Sequence, residues 1–263
     1  MVNGKAPVPA RSKPIVDWMQ AQVTAAGARG IVVGLSGGID SAVVIGLAAR
    51  ATPGHVVGVM MPCHSDPIDE AHAKLAADRF DVPAIRIDLG PTYDRLVDDL
   101  RRTLDQLPRG LFPVAAAEEV DIKAKLPLAN IKPRLRMTSL YFVANTLNYL
   151  VAGTGNRSEI AIGYFTKYGD GGTDMLPLGR LLKEEVRAIA RELQVPAEII
   201  DKPPSAGLWL GQTDEGEMGF TYAELERYLV EGPASVSPQL AERIQHLHRT
   251  SEHKRAVPPM PPE

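Results

Sequence analysis

Residues 30–61 read GIVVGLSGGIDSAVVIGLAARATPGHVVGVMM, and this stretch decides the fold class. Residues 30–35 are a short apolar run rich in β-branched side chains, which predicts a buried strand. Residues 39–50 have the length and pattern of a helix that ends at Thr52-Pro-Gly54, and residues 55–61 predict a second buried strand. A strand, a helix and a strand joined by short turns are typical of a parallel α/β unit.

The same alternation continues in both directions along the chain. Helices are expected over residues 14–26, 68–80, 91–107, 129–147 (interrupted near its start by Pro133) and 181–193, strands over 84–89 and 149–153, and loops over 108–127 and 168–179. From Pro196 onward the pattern predicts helices and loops without a strand. We therefore expect an α/β fold, a doubly wound (Rossmann-like) parallel sheet flanked by helices, with a helical C-terminal extension. Residues 1–263 are expected to form one domain, with a loose segment at 1–12.

Composition excludes several classes of protein. The formal net charge is −3, which argues against a global nucleic-acid-binding surface, so no nucleic-acid partner is expected. The single cysteine, Cys63, excludes an intramolecular disulfide and a CxxC site. No apolar run reaches 18 residues, and residues 1–14 lack the apolar stretch of a signal peptide, so neither a membrane span nor export is expected. A cytoplasmic location is the expectation.

Residues 34–41, GLSGGIDS, carry the strongest chemical signal. The segment follows one predicted strand and opens a helix, where free N–H groups and the helix dipole favour an anion. Gly37 and Gly38 allow close approach to phosphate oxygens, and Ser36 and Ser41 add hydroxyl groups. Asp40 would repel bare phosphate, so its presence implies an intervening cation, and Mg²⁺ is the ion expected.

This segment matches S-G-G-x-D-S and thereby resembles the signature of the ATP pyrophosphatases. It lacks the lysine of a Walker A loop. The resemblance implies that ATP is cleaved between its α- and β-phosphates. The alternative, a glycine-rich turn that only joins strand to helix, does not require two serines and an aspartate.

Three further segments are candidates for ligand binding, and each has a plainer reading. In residues 153–159, GTGNRSE, Thr154 would lie near the nucleotide and Glu159 could complete the metal site, or the segment only caps a helix. Residues 165–174, FTKYGDGGTD, make a poor core and a good ligand loop, or a solvated one. Lys183 could hold the triphosphate in place of the Walker lysine, or it is a solvated helix residue.

With these segments in place, the sequence closely resembles the ammonia-dependent NAD⁺ synthetases. The matching stretches are residues 34–41, 130–137, 153–159, 165–174, 177–184, 204–208 and 252–255, which cover almost the whole chain. The resemblance implies adenylation of the carboxylate of nicotinic acid adenine dinucleotide (deamido-NAD) by ATP. Ammonia then attacks the acyl-adenylate, which gives NAD⁺, AMP and pyrophosphate.

The resemblance also implies roles for individual residues. The ATP-binding set is Gly34, Leu35, Ser36, Gly37, Gly38, Ile39, Asp40, Ser41, Thr154, Lys183 and Ser205, where the family has threonine at the position of Ser205. The Mg²⁺ ligands are Asp40 and Glu159. The residues that bind deamido-NAD are Arg134, Lys167, Asp174, His253 and Lys254. The catalytic set is Asp40, Lys183 and Asp170, and Asp170 either orients the ammonium ion or only stabilises its turn.

The resemblance further implies a homodimer with the dinucleotide bound across the interface. The nitrilase-like domain of glutamine-dependent relatives has no room before Ser36, so free ammonia or a separate amidotransferase subunit is the expected nitrogen source. Two alternatives stay open at this point. One is a tRNA-modifying ATP pyrophosphatase, which would need a basic surface. The other is an ATP-binding sensor without turnover.

Overall fold

The computed structural model describes residues 11–104, 106–108, 120–205 and 213–261, with the side chains of residues 120–125 left out of the description. The helices are α1 (Ser12–Ala25), α2 (Ile39–Ala51), α3 (Pro67–Arg79), α4 (Gly90–Leu104), α5 (Val120–Leu147), α6 (Arg157–Ile162), α7 (Lys183–Leu193), α8 (Ala197–Ile200), α9 (Asp214–Met218), α10 (Tyr222–Glu231), α11 (Pro238–Thr250) and α12 (Glu252–Arg255). The strands are β1 (Gly30–Leu35), β2 (Val56–Met60), β3 (Ala84–Arg86) and β4 (Tyr149–Ala152).

Within the described residues the strands form one parallel sheet in the order β3-β2-β1-β4. The chain runs outward from β1 through β2 to β3 and then returns to place β4 on the other side of β1. Val33 pairs with Ala152 at the carboxyl ends of β1 and β4. These neighbouring ends form the switch point at which open α/β sheets bind ligands, and the loop at 36–38 and Thr154 both follow it directly.

Apolar side chains cover both faces of the sheet. On one face α1, α2, α3 and α7 pack around Ile31 and Val33, which are fully buried. On the other face α5 packs Leu140 and Ala144 against Val32 and against Val151 of β4. Successive residues of β1 therefore point to opposite faces, as expected for a strand buried on both sides. The doubly wound α/β prediction is confirmed.

The segment before β4 differs from the prediction. A loop was expected over 108–127 and a helix only from Ala129, but helix α5 already includes residues 120–127 and contains both Pro127 and Pro133. Proline removes a helical N–H donor, yet its fixed φ remains compatible with helix, so the segment continues through both prolines. Residues 109–119 lie outside the described part of the chain.

Other boundaries move by a few residues. The third strand was expected to reach Leu89 but ends at Arg86, although Ile87 N–H and Leu89 N–H still donate to Met60 and Pro62 carbonyls at 2.9 Å. The helix expected from Leu181 begins at Lys183, because the side chain of Glu185 accepts from the N–H of Leu182 and fixes the helix start there.

The described residues after Pro196 form helices and loops and no strand, as predicted. Helices α9, α10 and α11 enclose a third apolar cluster that includes Tyr222, Leu225 and Ile244. In the described segments, no helix combines the length and apolar character needed to cross a membrane. The division of residues 1–263 as one domain and the cytoplasmic location stay predictions.

Candidate active site

A cleft of about 470 Å³ opens at the carboxyl ends of β1 and β4. Its walls come from the loop after β1, the start of α6, the 165–173 loop, the start of α7 and the turn at 202–205. Twelve of the residues expected to bind ligands or metal line it: Gly34, Leu35, Ser36, Gly38, Ile39, Asp40, Thr154, Glu159, Asp170, Lys183, Ser205 and Lys254. The fold therefore brings together segments that lie up to 220 residues apart in sequence.

The loop before α2 packs closely against the backbone of α3. Gly37 has φ +75°, and a Cβ atom there would lie 2.1 Å from the carbonyl oxygen of Asp69, so only glycine fits. Ser41 is buried; its hydroxyl donates to Gly38 O at 2.9 Å and lies 3.2 Å from the Ser36 hydroxyl. Gly37 and Ser41 thus shape the loop from behind, while Ser36 and Gly38 face the cleft.

Lys183 is the centre of the charged floor of the cleft. Its side chain is 3% exposed, and Nζ lies 2.5 Å from Asp40 Oδ2 and 3.4 Å from Glu159 Oε1. The start of α7 is fixed by Glu226, whose Oε1 accepts from the backbone N–H groups of Lys183 and Glu184. Lys183 is therefore a buried, paired lysine in the cleft and not a solvated helix residue.

Glu159 is oriented by the helix that carries it. Asn156 is fully buried and caps α6: its side chain accepts from the N–H of Glu159 at 3.0 Å, and Glu159 Oε2 accepts from the N–H of Asn156 at 3.1 Å. The amide of Asn156 also donates to Asp40 Oδ1 at 3.2 Å. Capping and site formation coexist here, because one capping box aligns both carboxylates.

Electrostatics in this group follow from burial and shared charge. Desolvation raises the pKa of Glu159 to about 7; Lys183 lowers it and the nearby Asp40 raises it further. Burial works to lower the pKa of Lys183, but Asp40 and Glu159 outweigh it and raise that pKa above its ordinary value. One ammonium group is shared by two carboxylates, so this cluster of three side chains can bind a further cation.

Asp170 both stabilises its turn and faces the cleft. Its Oδ1 accepts from the N–H of Thr166 at 2.9 Å, and Gly169 N–H and Gly171 N–H donate to Thr166 O at 2.9 and 3.2 Å. Enclosure by the loop and the cleft walls raises the pKa of Asp170, while the Thr166 N–H and the Lys254 charge lower it, and solvent still reaches the residue. The turn-stabilising role is visible, and the position also suits contact with a ligand.

Of the five residues expected to bind deamido-NAD, all but Lys254 lie outside this cleft. Arg134 is exposed and donates to Lys167 O at 3.3 Å, and Lys167 Nζ donates to His253 O, so these three residues form one connected group. Asp174 accepts from Tyr141 OH at 2.9 Å and from the N–H of Val151 at 2.7 Å. Lys254 lines the cleft, but its ammonium group donates to Gly163 O and Phe165 O.

Sequence analysis missed Arg136, which lines the cleft. Its Nε donates to Met61 O at 3.2 Å and its guanidinium reaches the Ser65 hydroxyl at 3.3 Å. Residues two positions apart on a helix are separated by about 200° around its axis, so Arg134 points outward and Arg136 points inward. The helical period would have shown that only one of these two arginines faces the sheet.

A second omission is the group of Asp214, Glu217, Tyr164 and Tyr222, which lies behind Glu159. Tyr222 OH donates to Asp214 Oδ2 at 2.9 Å and lies 3.3 Å from Glu159 Oε1. Desolvation raises the pKa of Asp214 and of both tyrosines. The two acids lie on α9, Tyr222 lies on α10 and Tyr164 follows α6, and no spacing rule relates the tyrosines to the acids, so the sequence carries no signal for this contact.

The donor set at Asp40 and Glu159 fits Mg²⁺. This ion is commonly held by one or two carboxylates together with substrate phosphates. Among the residues that the structure describes, no group of three or more His, Cys, Asp or Glu side chains is arranged to hold a metal ion without such help. Seven carboxylates and four basic side chains line the cleft, so a triphosphate there requires an accompanying cation.

Comparisons with known proteins all find synthetases of NAD⁺ or NMN. The family model described as NAD synthase matches residues 12–258. The chain is 47% identical to the NH3-dependent NAD⁺ synthetase of Carboxydothermus hydrogenoformans, over 95% of this chain and 96% of that protein. It is 46% identical to the protein of the same name in Alkaliphilus oremlandii, over 94% of each chain. A solved structure of NMN synthetase from Francisella tularensis superposes with a TM-score of 0.84 at 36% identity, covering 95% of this chain and 96% of that one.

Proposed function

The chain belongs to the NAD synthase family, and from that premise we propose that it is a C–N bond-forming ligase that makes NAD⁺ from deamido-NAD, ATP and ammonia. The observation that carries this proposal is the meeting of Asp40, Glu159 and Lys183 beside the loop at 36–38. These are the groups that binding and splitting a triphosphate requires. The alternatives of a tRNA-modifying enzyme and of a non-catalytic sensor find no support among the named relatives.

The first half-reaction is adenylation. A carboxylate is a poor electrophile, and transfer of AMP to its oxygen converts that oxygen into a good leaving group. The N-terminus of α2, with Ser36 and Gly38, supplies N–H and hydroxyl donors for the phosphates. Lys183 neutralises negative charge on the departing pyrophosphate. Asp40 and Glu159 would hold Mg²⁺, which when bound neutralises the charge that develops as the bond between the α- and β-phosphates breaks.

The second half-reaction is amide formation. Ammonium has no lone pair, so a proton must leave before nitrogen attacks the acyl carbon and AMP departs. Asp170 would accept or orient that proton, because its carboxylate lines the cleft and its pKa is raised above the ordinary aspartate value. Thr154 and Ser205 complete the nucleotide side of the cleft.

The AMP half of deamido-NAD would lie outside the cleft. Basic side chains are provided there by the connected group of Arg134, Lys167 and His253. Asp174 follows Lys167 in the same loop. Phe142 is 73% exposed and two helical turns after Arg134 on the same face of α5. We propose that this face joins a second copy of the chain in a homodimer, which would enclose the dinucleotide between the two copies.

A second candidate function is amidation of nicotinic acid mononucleotide. The named NMN synthetase from Francisella tularensis is similar to this chain in structure, and the reacting carboxylate would have the same surroundings in both substrates. The two substrates differ in the AMP half that the group around Arg134 would bind.

The test compares kcat/KM for deamido-NAD and for nicotinic acid mononucleotide under equal ATP, Mg²⁺ and ammonium. We expect a preference of at least about 10-fold for the dinucleotide, and we expect Arg134→Ala to lower only the dinucleotide value. A higher kcat/KM for the mononucleotide would show that the product is NMN and not NAD⁺.

A further inference from the structure

Four side chains form a hydrogen-bonded chain that ends on Glu159. Glu217 Oε2 accepts from Tyr164 OH at 2.8 Å, and Tyr164 OH lies 3.2 Å from Asp214 Oδ1. Asp214 Oδ2 accepts from Tyr222 OH at 2.9 Å, and Tyr222 OH lies 3.3 Å from Glu159 Oε1. Tyr222 and Asp214 are 2% and 4% exposed, so these contacts are protected from solvent.

Tyr222 also contacts the second charged group of the site. Lys183 Nζ lies 5.1 Å from the centroid of the Tyr222 ring, within the range of a cation–π contact. One side chain therefore touches Glu159 through its hydroxyl and Lys183 through its ring.

The helix that carries Tyr222 is well placed to transmit this contact. Thr221 caps α10 through a capping box with Glu224, and the N–H of Tyr222 donates to Glu215 at 2.9 Å. One turn further along α10, Glu226 accepts from Lys183 N–H and from the Ser158 hydroxyl. Helix α10 thus fixes the starts of both α6 and α7, the helices that bear Glu159 and Lys183.

We propose that Tyr222 is a positioning residue for the metal-binding carboxylate, an inference that rests on the proposed function. Glu159 Oε1 is contacted by Lys183 and Tyr222, and Oε2 accepts from Asn156 N–H. When Lys183 turns toward a triphosphate, the Tyr222 hydroxyl still contacts Oε1, with its one proton shared between the carboxylates of Asp214 and Glu159. The carboxylate then stays oriented toward the cleft without a loss of conformational order.

Tyr164 provides a matched control. It is the same residue type, it bonds the same Asp214, and its hydroxyl is also enclosed by carboxylates. Its partners are Asp214 and Glu217, whereas those of Tyr222 are Asp214 and Glu159. Tyr222→Phe and Tyr164→Phe each delete one oxygen and keep the ring, so their difference reports the contact with Glu159.

The experiment measures Mn²⁺ binding by EPR in the presence of an ATP analogue with a methylene group between the α- and β-phosphates. We expect Tyr222→Phe to weaken Mn²⁺ binding about 10-fold, the usual effect of removing a partner of a metal ligand. Tyr164→Phe should stay within about twofold of the wild type. In a Glu159→Gln background, Tyr222→Phe should change Mn²⁺ affinity by less than about twofold, because the two residues act as one unit.

Thermal unfolding of each variant is recorded alongside. Wild-type Mn²⁺ affinity in Tyr222→Phe, or equal losses of affinity and melting temperature in both phenylalanine variants, would overturn the proposal. If Tyr222→Phe does not fold, Asp214→Asn replaces it in the wild-type and the Glu159→Gln backgrounds. A change in Mn²⁺ affinity confined to the wild-type background supports the proposal, and no change, or an equal change in both backgrounds, contradicts it. The proposed function fails separately, if the wild type binds Mn²⁺ with the analogue but forms no NAD⁺.

Discussion

Lys183 Nζ lies 2.5 Å from Asp40 Oδ2, although 143 residues separate the two in sequence. The pair joins the start of α2 to the start of α7, and Glu159 approaches the same ammonium group at 3.4 Å. Removing one partner of a buried ion pair costs about 3–5 kcal/mol because the other charge is left unpaired. Here Glu159 remains as a second partner for Lys183, so the charge at residue 40 can be removed without stranding the lysine.

Asp40→Asn is therefore expected to abolish turnover and leave the fold intact. The amide keeps the shape of the side chain but removes the charge that would hold Mg²⁺, so NAD⁺ formation should fall by about 100-fold or more. The rate of NAD⁺ formation and the melting temperature are measured together. Near-normal activity would contradict the metal assignment.

Arg134→Ala is expected to raise KM for deamido-NAD about 10-fold and to leave KM for ATP within about twofold. The reason is that Arg134 is exposed beside Lys167, outside the cleft that contains the ATP-binding residues. Arg136→Ala is the matched comparison, because Arg136 faces the cleft from the same helix. A selective loss of ATP affinity in Arg134→Ala would show that the residue serves the other ligand.

Gly37→Ala is expected to destabilise the fold by more than Gly54→Ala does. Both glycines have φ near +75°, but a Cβ at Gly37 would collide with Asp69 O whereas nothing lies within 4 Å at Gly54. Gly54→Ala should cost about 1 kcal/mol from backbone strain alone, and Gly37→Ala at least twice that. Urea denaturation of both variants measures the difference, and equal losses would contradict the predicted contact.

Stability without ligands should depend on the charge of Glu159. Its pKa is raised to about 7, so the folded protein binds this proton more tightly than the unfolded chain does. The contribution of this proton to the free energy of unfolding is complete below about pH 4.5 and is lost as pH rises through 7. Relative to Glu159→Gln, the free energy of unfolding of the wild type should therefore fall by at least about 1 kcal/mol between pH 5 and pH 8. A difference independent of pH would contradict the raised pKa.

The sequence predicted the sheet and the floor of the site for a physical reason. Asp40 and Glu159 each lie a few residues after a strand, and parallel strands end at one edge of a sheet, so the two segments had to meet. The helical state of residues 120–127 was not predictable in the same way, because Pro127 argues locally against a helix that nonetheless forms.

Tyr222 shows what sequence reasoning leaves out. Its contact with Glu159 depends on how α10 packs on α6 and α7, and no pattern within residues 213–231 records that packing. Lys183 could be interpreted in two ways from sequence, and only its 3% exposure and its two carboxylate partners separate a site lysine from a surface lysine.

The most direct test of the proposed chemistry follows oxygen. Deamido-NAD labelled with ¹⁸O in its carboxylate is incubated with the protein, ATP, Mg²⁺ and ammonium, and NAD⁺, AMP and pyrophosphate are quantified. Attack of the carboxylate on the α-phosphate predicts equal amounts of the three products, with one ¹⁸O atom in each AMP. Formation of ADP and phosphate, or of AMP without the label, would contradict an acyl-adenylate intermediate.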